Sequence, residues 1–208
     1  MIKILVDTSV WRHWFALKDK KTFPSPDIEE DAKAFSKIYD MVSSLPQKFL
    51  FIYNARVEDE LYKYKYQICF QKIKSSNYIK KVSIPLSRVD GSYKCNGSML
   101  AGGDFGGSLR DILSMYGYDH DAAFRNAKLN INRKNSAHTN PRKKEFDIEH
   151  LESALEAKSD LFLTSDYKLI RRLNEAARYY PENKEIIFAK KICLRPVDAL
   201  LKLCIGIT

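Results

Sequence analysis

The chain has 208 residues, a length that suits one domain or one domain carrying a large insertion. Hydrophobic residues make up 45% of it and supply a core, while 35 Lys and Arg against 26 Asp and Glu give a formal net charge of +9. This excess favours polyanionic partners such as nucleic acids, and the lack of any apolar run near the roughly 18 residues of a membrane span argues against a transmembrane protein.

The chain begins with a short apolar run, IKILV (2–6), which predicts a buried parallel strand. Asp7, Thr8 and Ser9 follow it and offer N-capping side chains for a helix. Asp7 therefore lies at the carboxyl end of the strand, which is the usual ligand-binding edge of an open parallel sheet.

The next elements are a helix, a strand and a second helix. Residues 28–45 have the apolar spacing of a helix that ends at Pro46, and KFLFIYN (48–54) predicts a second strand. The helix that follows from about residue 55 has one apolar face, formed by Val57, Leu61, Tyr64 and Ile68. VSIPL (82–86) predicts a short extended piece.

Residues 87–141 differ in composition from the rest of the chain. They hold seven of the eight glycines and end in a polar, basic run. The AGGDFGG stretch is not a P-loop, because it lacks the Gly-Lys-Ser/Thr ending and a preceding strand. We expect an insertion within a single domain, with helices at about 107–117 and 119–130.

The second half of the core begins at Asp147, where the apolar spacing predicts a helix. LFLT (161–164) and EIIFA (185–189) each predict a strand, with a helix between them, and KICLRP (191–196) predicts a short extended segment. Pro196 suits the first position of a final helix. Strands alternating with helices predict an α/β sandwich with a central, largely parallel sheet.

The four cysteines are Cys69, Cys95, Cys193 and Cys204. They form neither a CxxC pair nor a cluster with histidine, so neither a zinc site nor a disulfide framework is indicated. The apolar N-terminus meets Asp7 too early for the hydrophobic region of a signal peptide. Reduced thiols without a signal peptide fit a cytoplasmic protein.

Four acidic residues fall where apolar strands end or on helices with an apolar face: Asp7, Glu60, Asp147 and Asp166. Burying a carboxylate without a partner is costly, and converging carboxylates with few basic neighbours usually share a hard cation, Mg²⁺ or Mn²⁺. The alternative for the aspartates is a helix N-cap, and for Glu60 a solvated helix face. An acidic, metal-holding pocket in a basic protein suggests a nuclease.

Three stretches in this order resemble PIN domains: ILVDTSVW (4–11), DIEHLESALEAKSDLFLTSD (147–166) and EIIFAKKICLRPVDALLKL (185–203). In the second stretch an acid opens a helix, and a strand of three apolar residues and a Thr then ends in a polar residue and Asp. The resemblance covers roughly residues 1–65 and 145–205. It implies an α/β/α sandwich and a Mg²⁺- or Mn²⁺-dependent ribonuclease.

Carried over residue by residue, the resemblance gives metal-binding and catalytic roles to Asp7, Glu60, Asp147 and Asp166. Glu60 borders the apolar face of its helix, whereas Glu58 points about 200° away from it, so only one of the two can face the site. Neighbouring hydroxyls can orient the acids or a bound water. These hydroxyls belong to Thr8, Ser9, Thr164 and Ser165.

Basic residues lie close to two of the acids in the sequence. Arg142, Lys143 and Lys144 lead into Asp147, and Arg171 and Arg172 follow Asp166 by about a turn and a half of helix. We interpret these side chains as contacts to an RNA backbone. The alternative for the first run is a solvated loop.

Other polar and aromatic residues have structural interpretations. His150 is interpreted as a packing histidine, with a metal ligand or proton donor as the alternative. Trp11 and Trp14 indicate core or an oligomer face in preference to stacking on bases. Three glutamates are interpreted as a solvated helix face: Glu149, Glu152 and Glu156.

We therefore expect a metal-dependent endoribonuclease acting on RNA. The family that the chain resembles includes VapC-type toxins, which implies an antitoxin partner, and RNA-processing nucleases; homodimers are common in it. The alternative is a PIN-like RNA-binding or scaffold module without catalysis. A phosphatase of the haloacid-dehalogenase type is disfavoured, because Ser9 stands where that chemistry needs a second Asp.

Overall fold

The computed structural model describes residues 1–82 and 141–205, and for 141–148 it describes the backbone alone. Within these ranges the chain forms five strands and eight helices. The strands are β1 (Ile2–Val6), β2 (Phe49–Tyr53), β3 (Ile79–Lys81), β4 (Leu161–Leu163) and β5 (Cys193–Leu194). The helices are α1 (Thr8–Lys18), α2 (Pro26–Ser44), α3 (Ala55–Lys63), α4 (Gln67–Lys74), α5 (Pro141–Glu156), α6 (Tyr167–Tyr179), α7 (Lys184–Ile192) and α8 (Pro196–Ile205).

The five strands form one sheet in the order β3-β2-β1-β4-β5, and every neighbouring pair is parallel. In the central strand β1, Ile4 pairs with Phe51 on one side and with Leu161 on the other. Helices pack on both faces of the sheet. The predicted α/β sandwich with a parallel central sheet is confirmed. The predicted helical insertion at about 87–141 lies outside the described residues, apart from the residue that opens α5.

The strand side chains alternate between two hydrophobic cores, one on each face. Ile4 and Val6 enter the core that packs against α1, α2, α3, α4 and α8, whereas Leu5 enters the core that packs against α5, α6 and α7. Because both faces of the sheet are buried at its centre, β2 and β4 have continuous apolar sequences instead of an alternating pattern.

Two tryptophans of α1 belong to the first core. Trp11 is fully buried, and its ring meets those of Phe35, Phe51 and Phe70 edge to face, with centroid separations of 5.1, 5.7 and 5.3 Å. Trp14 is 5% exposed. The core interpretation of both residues is confirmed, and neither ring is open to a nucleic-acid base.

One predicted strand is wrong. EIIFA (185–189) lies in α7, because Ile186 and Ala189 are buried at helical spacing while Ile187 and Phe188 are 41% and 43% exposed. The side chain of Asn183 accepts a hydrogen bond from the Ile186 amide and caps this helix. The short extended segment that follows is confirmed as β5, and Pro196 opens α8 as predicted.

The helix predicted from residue 55 is shorter than expected. It ends at Lys63, and Lys65 has a positive φ of 62° that turns the chain before α4 begins. Tyr64 and Ile68 are consequently 43% and 71% exposed instead of packing on the apolar face. The extended piece predicted at 82–86 lies outside the described residues, apart from Val82, and β3 ends just before it.

The strand order reverses between β1 and β4. From β1 the chain adds β2 and β3 on one side of the sheet, and later β4 and β5 on the other. In open parallel sheets, ligands bind beyond the carboxyl ends of the strands at such a reversal. Among the described residues, no helix combines the length and apolarity needed to cross a membrane.

Candidate metal centre

Asp7 lies at this reversal point, immediately after β1. Its backbone amide donates to Leu163 O of β4 at 2.9 Å, and its side chain is 5% exposed. The carboxylate accepts no capping hydrogen bond from a backbone amide of the first turn of α1, so Asp7 is an N-cap by backbone position only. Its Oδ2 accepts hydrogen bonds from Ser9 Oγ and, at 2.9 Å, from Thr164 Oγ1.

The same hydroxyls tie the ends of β1 and β4 together. Ser9 Oγ accepts a hydrogen bond from the Ser165 amide at 3.1 Å, and Thr164 Oγ1 accepts one from the Asp166 amide at 3.0 Å. Each hydroxyl thus donates to Asp7 and accepts from the backbone after β4. The Asp7 carboxylate is consequently fixed in orientation by both strands.

Glu60 approaches Asp7 from α3. Its Oε2 accepts a hydrogen bond from Thr8 Oγ1 and lies 3.1 Å from His150 Nε2. Burial alone would raise the pKa of this carboxyl, but the hydrogen bond and charge of His150 and the Thr8 hydroxyl outweigh burial and lower it. Glu60 is therefore a carboxylate at neutral pH, buried against a histidine.

His150 completes a three-residue group. Its side chain is 1% exposed, and its Nε2 lies 3.1 Å from Glu60 Oε2 and 3.7 Å from Asp7 Oδ1. One ligand atom from each of these three residues lies within 4.8 Å of the other two. The interpretation of His150 as a packing histidine missed this contact. A signal was present, since His150 shares the inward face of α5 with Leu151 and Ala154.

Glu58 faces a different environment from Glu60. Its carboxylate pairs with Lys74 Nζ at 2.7 Å and with Lys81 Nζ. Burial raises the pKa of Glu58, but the two lysines outweigh burial and hold it below its usual value. Of the two glutamates considered at this position, only Glu60 joins Asp7.

Asp166 caps α6 in the structure. Its Oδ1 accepts hydrogen bonds from the amides of Lys168 at 2.8 Å and Leu169 at 3.2 Å. Among the described side chains it lies outside the group formed by Asp7, Glu60 and His150. Asp166 is thus a helix N-cap, as the alternative interpretation predicted. Its Oδ2 takes no part in the cap.

Asp147 lies in α5, one turn before His150, and its side chain is outside the described part of the chain. The same holds for Arg142, Lys143 and Lys144. Two hydrogen bonds from the start of α3 hold α5 in place. Asn54 Nδ2 donates to Ser153 Oγ at 2.9 Å, and Arg56 Nε donates to Glu149 Oε2 at 2.6 Å.

The glutamates of α5 do not form one solvated face. Glu152 is fully buried, and the side chain of Glu149 is 15% exposed in its ion pair with Arg56. The solvated interpretation is wrong for both, because the helix is enclosed on more sides than its apolar stripe indicated.

The donor set is suited to a divalent cation. Two carboxylates and one imidazole match the ligands of Mn²⁺ and related transition metals, and carboxylates also suit Mg²⁺. The hydroxyls of Thr8, Ser9 and Thr164 donate to the acids as ligand-orienting groups do. Ser165 Oγ is buried and has no hydrogen-bond partner among the described residues. The group can therefore hold a metal ion.

Comparison with known proteins yields no match: no protein-family model, curated protein or solved structure is significantly similar to this chain.

Proposed function

We propose that this protein is a Mg²⁺- or Mn²⁺-dependent endoribonuclease. The observation that carries the proposal is the convergence of Asp7, Glu60 and His150 within 4.8 Å at the reversal point of a parallel sheet. Two buried acids repel each other unless a cation or proton relieves them, and such strained acidic groups in a sheet crevice mark functional sites.

RNA is the proposed substrate because of the charge of the rest of the chain. The chain has a formal net charge of +9 and a small acidic pocket, a combination that favours a polyanion as substrate and offers metal ligands to its phosphodiesters. The resemblance to PIN domains supports hydrolysis of RNA over simple binding.

Each side chain has a role in this proposal. Asp7 and Glu60 would hold the metal, with His150 as a third ligand or as a proton carrier between Glu60 and the substrate side of the pocket. Asp147 and Asp166 would contribute directly or through water. A bound divalent ion would supply an activated water and neutralise charge developing on the phosphate. Thr8, Ser9 and Thr164 keep the acids oriented.

The testing experiment is Mn²⁺-dependent cleavage of a mixed pool of single-stranded and structured RNA. Asp7→Asn and Glu60→Gln are compared with wild type, and Glu58→Gln is the matched control. Glu58 is an acid of the same helix, but it pairs with Lys74 and Lys81. We expect cleavage by wild type and by the control, and a loss of at least about 100-fold in the first two variants.

Equal cleavage by all four proteins would contradict the proposal, because it would trace the activity to a contaminant or to other residues. RNA binding without cleavage under any divalent metal would favour the scaffold alternative instead. If cleavage is found, product ends and partner proteins would distinguish a toxin controlled by an antitoxin from a cytoplasmic RNA-processing enzyme.

A further inference from the structure

A groove runs between α6 and α7, beside the metal centre. A cavity of about 540 Å³ lies over the outer face of α6 and reaches Lys190 of α7. A second cavity of about 300 Å³ shares Ile170, Asn174 and Lys190 with the first and continues to Arg195 at the end of β5. The two cavities therefore form one continuous groove.

The wall on α6 is a regular stripe. Tyr167, Arg171, Asn174 and Arg178 are spaced by three or four residues, so they lie on one side of the helix over a length of about 16 Å. The stripe begins one residue after Asp166, at the carboxyl edge of the sheet. The groove consequently starts at the same edge of the sheet as the metal centre and leads away from that edge.

The charges of the groove are mostly positive and partly uncompensated. Arg178 and Lys190 are exposed and have no ion-pair partner among the described residues, whereas Arg171 lies 3.7 Å from Glu175 in an exposed pair that stabilises little. Arg195 is held by the buried Asp31 at 3.2 Å. Glu175 and Asp198 are the acids of the lining, and with Arg171 and Arg195 already paired, Arg178 and Lys190 are opposed there by Asp198 alone.

The inner end of the groove lies within electrostatic reach of the acids. Burial raises the pKa of the Cys193 thiol, and the negative charges of Asp7 and Asp166 raise it further. Cys193 lines the smaller cavity. Tyr167, at the start of α6, is 38% exposed, and its ring centroid lies 4.7 Å from Cζ of the Arg195 guanidinium. An aromatic ring and a cation therefore lie together where a nucleotide would enter the groove.

We propose that this groove binds the backbone of single-stranded RNA on one side of the scissile phosphate, with Arg178 and Lys190 contacting two phosphates farther along the strand. The inference rests on the proposed nuclease function. The groove separates the two arginines that the sequence analysis assigned to the RNA backbone. Arg171 lines the groove, whereas Arg172 lies about 100° around the helix from Arg171. The partly exposed ring of Tyr167 favours a single strand over a duplex, because unpaired bases can stack on an aromatic side chain.

The test measures binding separately from cleavage. A fluorescein-labelled 12-nucleotide single-stranded RNA is titrated with protein in EDTA, where no cutting occurs, at several salt concentrations. The double variant Arg178→Ala/Lys190→Ala is compared with Lys184→Ala/Lys191→Ala. The control removes the same charge from the exposed surface of α7 outside the groove lining.

We expect the groove variant to bind roughly tenfold more weakly, and the slope of log affinity against log salt to fall in magnitude by about 1.4, as loss of two phosphate contacts on a single strand requires. The control should match wild type in slope. Duplex RNA of the same sequence should bind wild type more weakly than the single strand.

Equal weakening by both double variants would overturn the groove proposal, since the effect would then be general charge. So would a wild type that does not bind the single strand, or that prefers the duplex. If the groove variant alone binds more weakly but wild type cuts no RNA, the groove proposal stands and the nuclease proposal fails. If wild type cuts RNA but the groove variant binds as tightly as wild type, the nuclease proposal stands and the groove proposal fails.

Discussion

At the scale of single residues, the site depends on hydroxyls as much as on acids. Thr164 donates to Asp7 and accepts from the Asp166 amide, so a single buried side chain links the first strand to the segment after the fourth. Thr8 donates to Glu60 from the start of α1. A buried carboxylate that loses such a donor keeps its desolvation cost without the compensation.

Thr164→Val tests this link, because valine has nearly the same shape and lacks the hydroxyl. We expect the free energy of unfolding to fall by about 1–3 kcal/mol and Mn²⁺ affinity to fall by about 10- to 100-fold. Urea denaturation and a Mn²⁺ titration measure the two effects. Ser43→Ala is the control, since within the described part of the chain the Ser43 hydroxyl bonds only the Asp40 carbonyl of its own exposed helix turn. Unchanged Mn²⁺ affinity in Thr164→Val would argue against an orienting role.

His13 is a second residue whose environment has a measurable consequence. It is 7% exposed, its Nε2 lies 3.0 Å from Arg12 Nη2, and its Nδ1 has no partner among the described residues. Burial, with a smaller contribution from the Arg12 charge, lowers the pKa of His13 from 6.5 to about 4. The folded protein thus keeps this imidazole neutral where the unfolded chain protonates it.

The pH dependence follows from this sign. Between pH 6.5 and 4 the unfolded chain binds the extra proton, so stability is lost as pH falls through this window. From pH 7 to pH 5 we expect wild type to lose about 2 kcal/mol more than His13→Gln, which cannot titrate. Urea denaturation of both proteins at the two pH values gives this difference. Parallel losses would show that His13 is accessible to protons in the folded state.

At the scale of elements, the helix ends decide what the site contains. Asp166 caps α6 through Oδ1, and this structural role does not conflict with a metal role, because Asn caps a helix as well as Asp does. The cap and the charge can consequently be separated by mutation.

Asp166→Asn should keep the stability of wild type while lowering Mn²⁺-dependent cleavage by about tenfold or more, whereas Asp166→Ala should also lose about 1 kcal/mol of stability. Thermal denaturation and cleavage assays on both variants separate the two roles. Full activity in Asp166→Asn would restrict Asp166 to capping.

The elements also show how far the sequence could be interpreted. β1, β2 and β4 were predicted because buried parallel strands are short, mostly apolar runs bounded by polar residues, whereas β3, with the sequence Ile-Lys-Lys, was not predicted. EIIFA has the same appearance, but its exposed Ile187 and Phe188 conceal a burial period of three residues set by Ile186 and Ala189. Apolar content alone cannot separate a short buried strand from a helix whose outer face is also apolar.

At the scale of the site, position along a strand was more informative than residue type. Asp7 was predictable because the end of a parallel strand fixes where a side chain lies in space. His150 was not, because its contact with Glu60 depends on how α3 and α5 approach each other, and that approach is set by Asn54–Ser153 and Arg56–Glu149 across separations of 99 and 93 residues.

At the scale of the whole molecule, metal binding should appear as stability. A ligand that binds only the folded state adds free energy of unfolding, about 2.7 kcal/mol when its concentration is 100 times its Kd. We expect Mn²⁺ to raise the melting temperature of wild type and of Glu58→Gln, and to leave Asp7→Asn unchanged. Differential scanning fluorimetry against Mn²⁺ concentration measures this. An equal rise in Asp7→Asn would place the metal elsewhere.

The hydrogen bond between Thr164 and Asp7 joins residues 157 positions apart in the chain. Closing so long a loop costs conformational entropy before any contact rewards it, and folds dominated by distant pairings form slowly. During synthesis, β1, β2 and β3 leave the ribosome well before β4, so Asp7 and Glu60 emerge without the strand that orients Asp7. The centre is completed only when the second half of the sheet docks, which makes its assembly one of the last events in the maturation of the nascent chain.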